Sequence, residues 1–180
     1  MTPATGPTAT PSGEFRALLA RWPTGVSVVT ARDGAMDVGL TVNAFLSVSL
    51  TPPSVLVSLS TDADTTPVVE RTGRFAVNLL SHRQSAVSQR FALAIPSAEK
   101  FSGIAVHRGT TGLALLDGTL GALECRVVSR VPAYDHLLFV GEVVRLEAGA
   151  DATPLVFYKS RYPASSPTGE VAFGEPADPR

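Results

Sequence analysis

The residues best suited to chemistry lie in one stretch, GLTVNAFLSVSLTPPSVLVSL, residues 39–59. Thr41, Asn43, Ser47 and Ser49 break its apolar run with small polar side chains. A strand that serves only a core rarely holds so many hydroxyls and amides. Such groups offer hydrogen bonds. Either they face water, as in a solvated surface hairpin, or they face a ligand that needs them.

Other chemistries find little support. No Gly-x-Gly-x-x-Gly follows a strand and opens a helix, and no phosphate-binding P-loop is present. His82, His107 and His136 are scattered without metal-ligand spacing, and Cys125 has no second cysteine with which to build a zinc site. The Gly-x-Ser pattern GVS lacks the closing glycine of a nucleophile elbow. Cys125 sits on an apolar strand face and reads as a core residue.

The elements that must position the polar stretch can be read from spacing. SGEFRALLARW places Phe15, Leu18, Leu19 and Trp22 on one helical face. Two strands flank the turn at Asp33-Gly34. SVSL and SVLVSLS alternate with period two and are separated by Pro52-Pro53. TPVVERTG has Thr66 as cap, Pro67 at the first helical position and Gly73 as stop. After the strand RFAVNLL, Ser81 and Gln84 stand in capping-box spacing before a helix with Ala86, Val87, Arg90 and Phe91 on one face. LGALECRVVSRV, HLLFVGEVVRLEAG and PLVFYKSRY add three strands; in the first, Leu123, Cys125, Val127 and Val131 oppose Glu124, Arg126 and Arg130. About seven strands and two or three short helices, joined mostly by tight turns, predict a mainly β fold: a closed antiparallel barrel with helices packed outside.

At 180 residues the chain is long enough for one domain with a real core. Hydrophobic residues make up 44% and charged residues 17%, which excludes disorder of the whole chain. A net charge of −1 gives no electrostatic case for nucleic acid or an anionic membrane. No apolar run approaches the roughly 20 residues of a membrane helix, the N-terminus lacks the pattern of a secretory signal, and a lone cysteine fits a reducing compartment. The expected location is cytoplasmic. Residues 1–13 and 164–180 read as tails around a domain at 14–163, with Val171 and Phe173 placed to dock on a partner subunit.

WPTGV (22–26), GLTVNAFLSVSLTPPSVLVSL (39–59), GRFAVNLLS (73–81), QRFA (89–92), EKF (99–101), LECRV (123–127), DHLLFVGEV (135–143) and PLVFYKSRY (154–162) occur in order. Together they resemble the flavin reductase-like family, the NAD(P)H:flavin oxidoreductases that supply reduced flavin to two-component monooxygenases. The resemblance covers nearly all of residues 14–162. It implies a split β-barrel that works as a homodimer and binds FAD or FMN near the subunit interface. NADH or NADPH would be co-substrate and a flavin-dependent monooxygenase the partner. No catalytic acid–base pair is then expected, because hydride passes directly between the cofactors.

By the same resemblance, Gly39, Leu40, Thr41, Val42, Asn43 and Ala44 would edge the isoalloxazine ring, with Ser47 and Ser49 extending the set. Ser58, Leu59, Ser60 and Thr61 would follow the ribityl chain and phosphate, Lys100 would be the phosphate's cationic partner, and His136 would contact the nicotinamide. Asp62 and Asp64 stand where relatives often carry a base, and Tyr134-Asp135-His136 where they commonly show Gly-Asp-His. A homodimer is also suggested by strands such as HLLFVGEVV, apolar on both faces. Two other readings stay open: a flavin-binding module without turnover, and a barrel that binds another small ligand at the polar hairpin.

Overall fold

The computed structural model describes residues 11–149 and 152–163. The expected tails, with Val171 and Phe173, lie outside these residues, apart from 11–13, where the first helix begins. In chain order the elements are α1 (Ser12–Leu19), β1 (Thr24–Gly25), β2 (Ser27–Asp33), β3 (Met36–Val42), β4 (Phe45–Leu50), β5 (Pro53–Ser60), α2 (Thr65–Thr72) and β6 (Arg74–Leu79). A 3-10 turn (His82–Gln84) runs into α3 (Ser85–Ala92), followed by α4 (Ser97–Phe101), β7 (Val106–Arg108), β8 (Ala114–Leu116), β9 (Gly121–Ala133), β10 (His136–Ala148) and β11 (Val156–Phe157).

Seven strands form one antiparallel sheet in the order β3-β2-β6-β9-β10-β5-β4. Its outermost strands, β3 and β4, are consecutive in the chain and joined only by Asn43 and Ala44. Three Cα steps of about 3.8 Å reach roughly 11 Å, whereas seven flat strands at about 4.8 Å spacing would set the edges roughly 29 Å apart. The sheet must therefore curl until its edges meet. They meet at a corner, pinned by the Ser58 amide donating to the Ala44 carbonyl at 3.1 Å, and β3 and β4 do not pair. The expected closed barrel is thus a split one.

Local sequence explains the hairpins. Asp33 pairs with Met36 around Gly34, whose φ of 55° suits a residue without a Cβ. Leu50 pairs with Pro53, and Ser49 Oγ accepts the Thr51 amide across that turn at 3.1 Å. Proline opens β5 rather than interrupting it, so no ladder bond is lost inside the strand.

Alternate residues of the curled sheet fill its interior: Val29, Val38, Val57, Leu59, Phe75, Val77, Cys125 and Phe139 are buried there. Gly141 makes room for Phe75, whose Cζ would lie 2.5 Å from a Cβ at that position. Burial, with Glu124 adding to it, pushes the Cys125 thiol up to about 12, as befits a core residue. A second layer outside the sheet packs Val28, Leu80, Phe91, Leu116 and Leu155 beneath α3 and α4. Buried Asn78 ties the layers together, donating to the Val28 carbonyl at 3.0 Å and accepting from the Leu116 amide at 2.8 Å.

Some expectations are revised. The apolar face of α1 covers no core: Phe15, Leu18 and Leu19 are exposed, and Trp22 lies past the helix end. α2 starts at Thr65, and the Thr66 hydroxyl donates to the Ser60 carbonyl instead of capping the helix; Gly73 ends it at φ 66°, as expected. The capping box of Ser81 and Gln84 forms, but on the 3-10 turn, and of the predicted α3 face Phe91 is buried while Ala86 and Arg90 are exposed. The hairpin β7–β8 is an addition to the expected strands, and PLVFYKSRY contributes two residues that pair with β1 outside the main sheet. Glu124, expected on the solvent face, is buried, because the amides of Thr110 and Thr111 donate to its carboxylate at 2.9 and 2.8 Å.

One surface link is pH-sensitive. His107 Nδ1 lies 2.7 Å from Asp117 Oδ1, and Nε2 3.2 Å from Glu147 Oε2. The bond to Asp117, then that to Glu147, hold the imidazole above its ordinary value. The imidazolium's contribution is complete below the unfolded value of about 6.5 and fades as pH rises through the higher folded value. His107→Gln should therefore lower urea-unfolding stability more at about pH 5.5 than at about pH 8.5; an equal loss at both would show that the link carries no charge.

Candidate functional site

The corner that closes the sheet also collects polar groups. Along β5, Val55, Val57 and Leu59 point into the core, so Ser58 and Ser60 point outward. Across the ladder Ser58 lies opposite Leu138 and Ser60 opposite His136, and directly opposed residues share a face. Asn43 and Ala44, both exposed, adjoin Ser58 through the amide–carbonyl bond at the corner. The result is a continuous strip: Asn43, Ala44, Ser58, Ser60, His136. Among the described residues nothing takes up the Asn43 side-chain amide.

The far end of the strip is fixed. Thr61 donates twice to the Asp135 carbonyl, from its amide at 2.9 Å and its hydroxyl at 3.1 Å. His136 Nδ1 lies 2.9 Å from Asp135 Oδ1, and that bond holds the Asp135 carboxyl below its usual range. Tyr134, in the same two-residue turn, has φ 57°.

Other residues named from sequence fall elsewhere. Gly39 faces α3 and α4; a Cβ there would lie 2.7 Å from Phe91 Cε1, so glycine lets the helix layer approach. Thr41 Oγ1 donates to the Ser88 carbonyl at 2.7 Å, which fastens α3 to β3. Val42 and Leu59 are buried in the core, with Leu40 packed against it. Ser47 is exposed on β4, while Ser49 is engaged in its turn.

Lys100, expected as the phosphate's cationic partner, is only 4% exposed. Its ammonium donates to the Gly39 carbonyl at 3.2 Å and lies 3.9 Å from Asp64 Oδ1. Asp64 also accepts from Ser97 Oγ at 2.5 Å. That carboxylate is occupied by α4, and Lys100 clamps α4 onto β3.

Asn43 has a second neighbourhood. A cleft of about 360 Å³ lies beside it, lined by Trp22, Thr24, Phe45, Leu120 and Leu155 among others. Its volume is in the range of small-molecule sites. Thr24 Oγ1 is buried with no hydrogen-bond partner among the described residues. Sequence reading placed Trp22 only on a helical face and did not single out Thr24; the motif WPTGV contained both, but nothing in it shows that the Thr24 hydroxyl lacks a partner.

Residues 19–166 match the flavin reductase like domain. The chain belongs to the flavin reductase-like family. It is 38% identical over 157 residues to the actinorhodin polyketide dimerase of Streptomyces coelicolor, covering 87% of this chain and 88% of that protein. With the reductase component of 4-hydroxyphenylacetate 3-monooxygenase from Thermus thermophilus it shares 39% identity over 148 residues, 82% of this chain and 93% of that one. Among solved structures it is similar to the Streptomyces globisporus C-1027 NADH:FAD oxidoreductase in complex with NAD and FAD fragments, at a TM-score of 0.81 and 29% identity, covering 88% and 95% of the two chains.

In this flavin reductase-like domain, the orphaned Thr24 hydroxyl gives a direct test of the cleft. Thr24→Val keeps the side-chain shape and removes a buried group that lacks a partner, so the ligand-free protein should gain about 1 kcal/mol in urea unfolding. A loss of similar size would mean that the hydroxyl is already satisfied.

Proposed function

We propose that the chain is a flavin reductase that moves hydride from NADH or NADPH to FAD or FMN, and that its reduced flavin serves a flavin-dependent monooxygenase. The observation that carries this reading is the strip from Asn43 to His136 on the outer face of the barrel corner, in a member of this family. When bound, the flavin accepts at N5 the hydride that the nicotinamide gives up at C4.

The residues present fit a flavin. Its ring is flat, apolar on both faces and polar along one edge. The cleft offers an apolar lining beside the exposed Asn43 amide, which is not bonded to protein among the described residues. Asn43 and the backbone at Ala44 bind the polar edge; Ser58, Ser60 and Thr61 follow the chain toward the phosphate. Lys100 and Asp64 neutralise each other behind β3, so phosphate binding rests on hydroxyls and backbone amides. His136 positions the nicotinamide and gives no proton, since hydride transfer requires none.

Between its polar groups, the outer face of this wall is apolar. Leu46, Leu56, Leu138, Val140 and Val131 lie across from one another on β4, β5, β10 and β9, half-buried or exposed. Trp22 is 73% exposed and Leu18 64%. A second copy of the chain would cover such surfaces and exclude water from a site at its edge. We take the domain as residues 14–163 and its location as cytoplasmic, consistent with a free buried thiol. No described helix is long and apolar enough to cross a membrane.

Light scattering at micromolar concentration should give the mass of two chains; one chain's mass would remove the dimer. Asn43→Ala should weaken flavin binding by about 0.5–1.5 kcal/mol in a fluorescence titration, and an unchanged affinity would place the flavin elsewhere. His136→Ala should raise KM for NADH or slow reduction while flavin affinity holds; collapse of flavin binding with normal NADH kinetics would reverse that assignment. Flavin binding without NADH consumption in the unmodified protein would make it a binding module.

A further inference from the structure

Tyr134 has no part in the packing of the fold. Its side chain is fully exposed at the tip of the β9–β10 turn, and its backbone at φ 57° occupies the left-handed region that residues other than glycine avoid. A bulky residue there is strained, and no core contact offsets the strain. The two-residue turn between β9 and β10 itself demands the positive φ, and it holds the ring out beside His136, clear of the core.

The mount is rigid. Ala133 pairs with His136 across the two-residue turn, and Thr61 holds the Asp135 carbonyl with two hydrogen bonds. The phenol ring therefore stands free on a fixed support, two residues from His136, with both faces open. Such a ring is a stacking platform for a flat heteroaromatic group.

Resting on the assignment of His136 to the nicotinamide, we infer that Tyr134 stacks on the adenine ring of an adenine dinucleotide and so sets the preference for dinucleotide over mononucleotide forms. The adenine belongs to NADH or to FAD; both present the same ring.

The test compares the full-length protein with Tyr134→Phe, Tyr134→Ala and Tyr134→Gly in steady-state assays. Each is run with NADH or dihydronicotinamide mononucleotide, paired with FAD or FMN. The Ala and Gly variants should raise KM for the adenine-bearing substrate about fivefold to a hundredfold, the range for loss of one base–aromatic stack. Tyr134→Phe should keep the KM of the original, and the pairing of the two mononucleotides should be unaffected by any variant. A rise confined to NADH assigns the adenine to the nicotinamide dinucleotide; one confined to FAD assigns it to the flavin.

Stability separates this role from a structural one. Tyr134→Gly should raise the unfolding midpoint, because glycine adopts this φ without strain, so stability and affinity move in opposite directions. KM values unchanged in all four pairings, or raised equally in the mononucleotide pairing, would overturn the proposal. His136→Ala assayed with the two mononucleotides reports the nicotinamide assignment separately, since that pair carries no adenine.

Discussion

Two residues, Asn43 and Ala44, join strands that lie at opposite ends of a seven-stranded order. So short a link is incompatible with a flat sheet, and the rest of the architecture depends on the curl it forces. Curling creates an interior, which alternate valines, Leu59, Phe75 and Phe139 fill. It also turns the opposite alternation outward, where Ser58 and Ser60 meet His136 across the ladder. The joint itself, bent between two edges that do not pair, leaves the Asn43 amide without a strand partner. One geometric requirement thus closes the barrel, fills the core and gathers the polar groups of the site.

The support is built to hold that corner still. β3 is gripped from behind by Thr41 on the Ser88 carbonyl, by Lys100 on the Gly39 carbonyl and by Phe91 packed against Gly39. Gly39 and Thr41 belong to the same sequence motif as Asn43, yet they act on the helix layer. Alternation along β3 sends Val38, Leu40 and Val42 to the core and Gly39 and Thr41 to the helix layer; Asn43 differs from both because it lies past the strand's end, in the joint to β4. A reductase whose chemistry resides in its cofactors needs this kind of positioning more than it needs acids or bases.

Much of the fold was legible in the chain. The hairpin at Gly34, the helix stop at Gly73 and the capping box at Ser81 and Gln84 are local signals with local causes, and each forms. Residues governed by distant partners were not legible. Lys100 looks like a loop lysine until α4 folds it against β3, and Glu124 reads as a solvent-facing alternate until the 109–112 loop closes over it. The face of α1 had the right period but faces outward, because period reports amphipathicity and not which surface covers it. That Asn43 is an exposed polar group at a joint was legible, because a polar residue between two apolar strands is unusual in itself; the Thr24 hydroxyl was not, because only packing reveals that it lacks a partner.

The central claim is that the barrel corner is where flavin and nicotinamide meet. A crystal structure of the full chain grown with FAD and oxidised nicotinamide dinucleotide tests it most directly. The expected result is an isoalloxazine ring with its polar edge on Asn43 and Ala44, its chain running toward Ser58 and Ser60, and the nicotinamide held between that ring and His136. A flavin bound away from this strip, for instance against α3 and α4, would contradict the account.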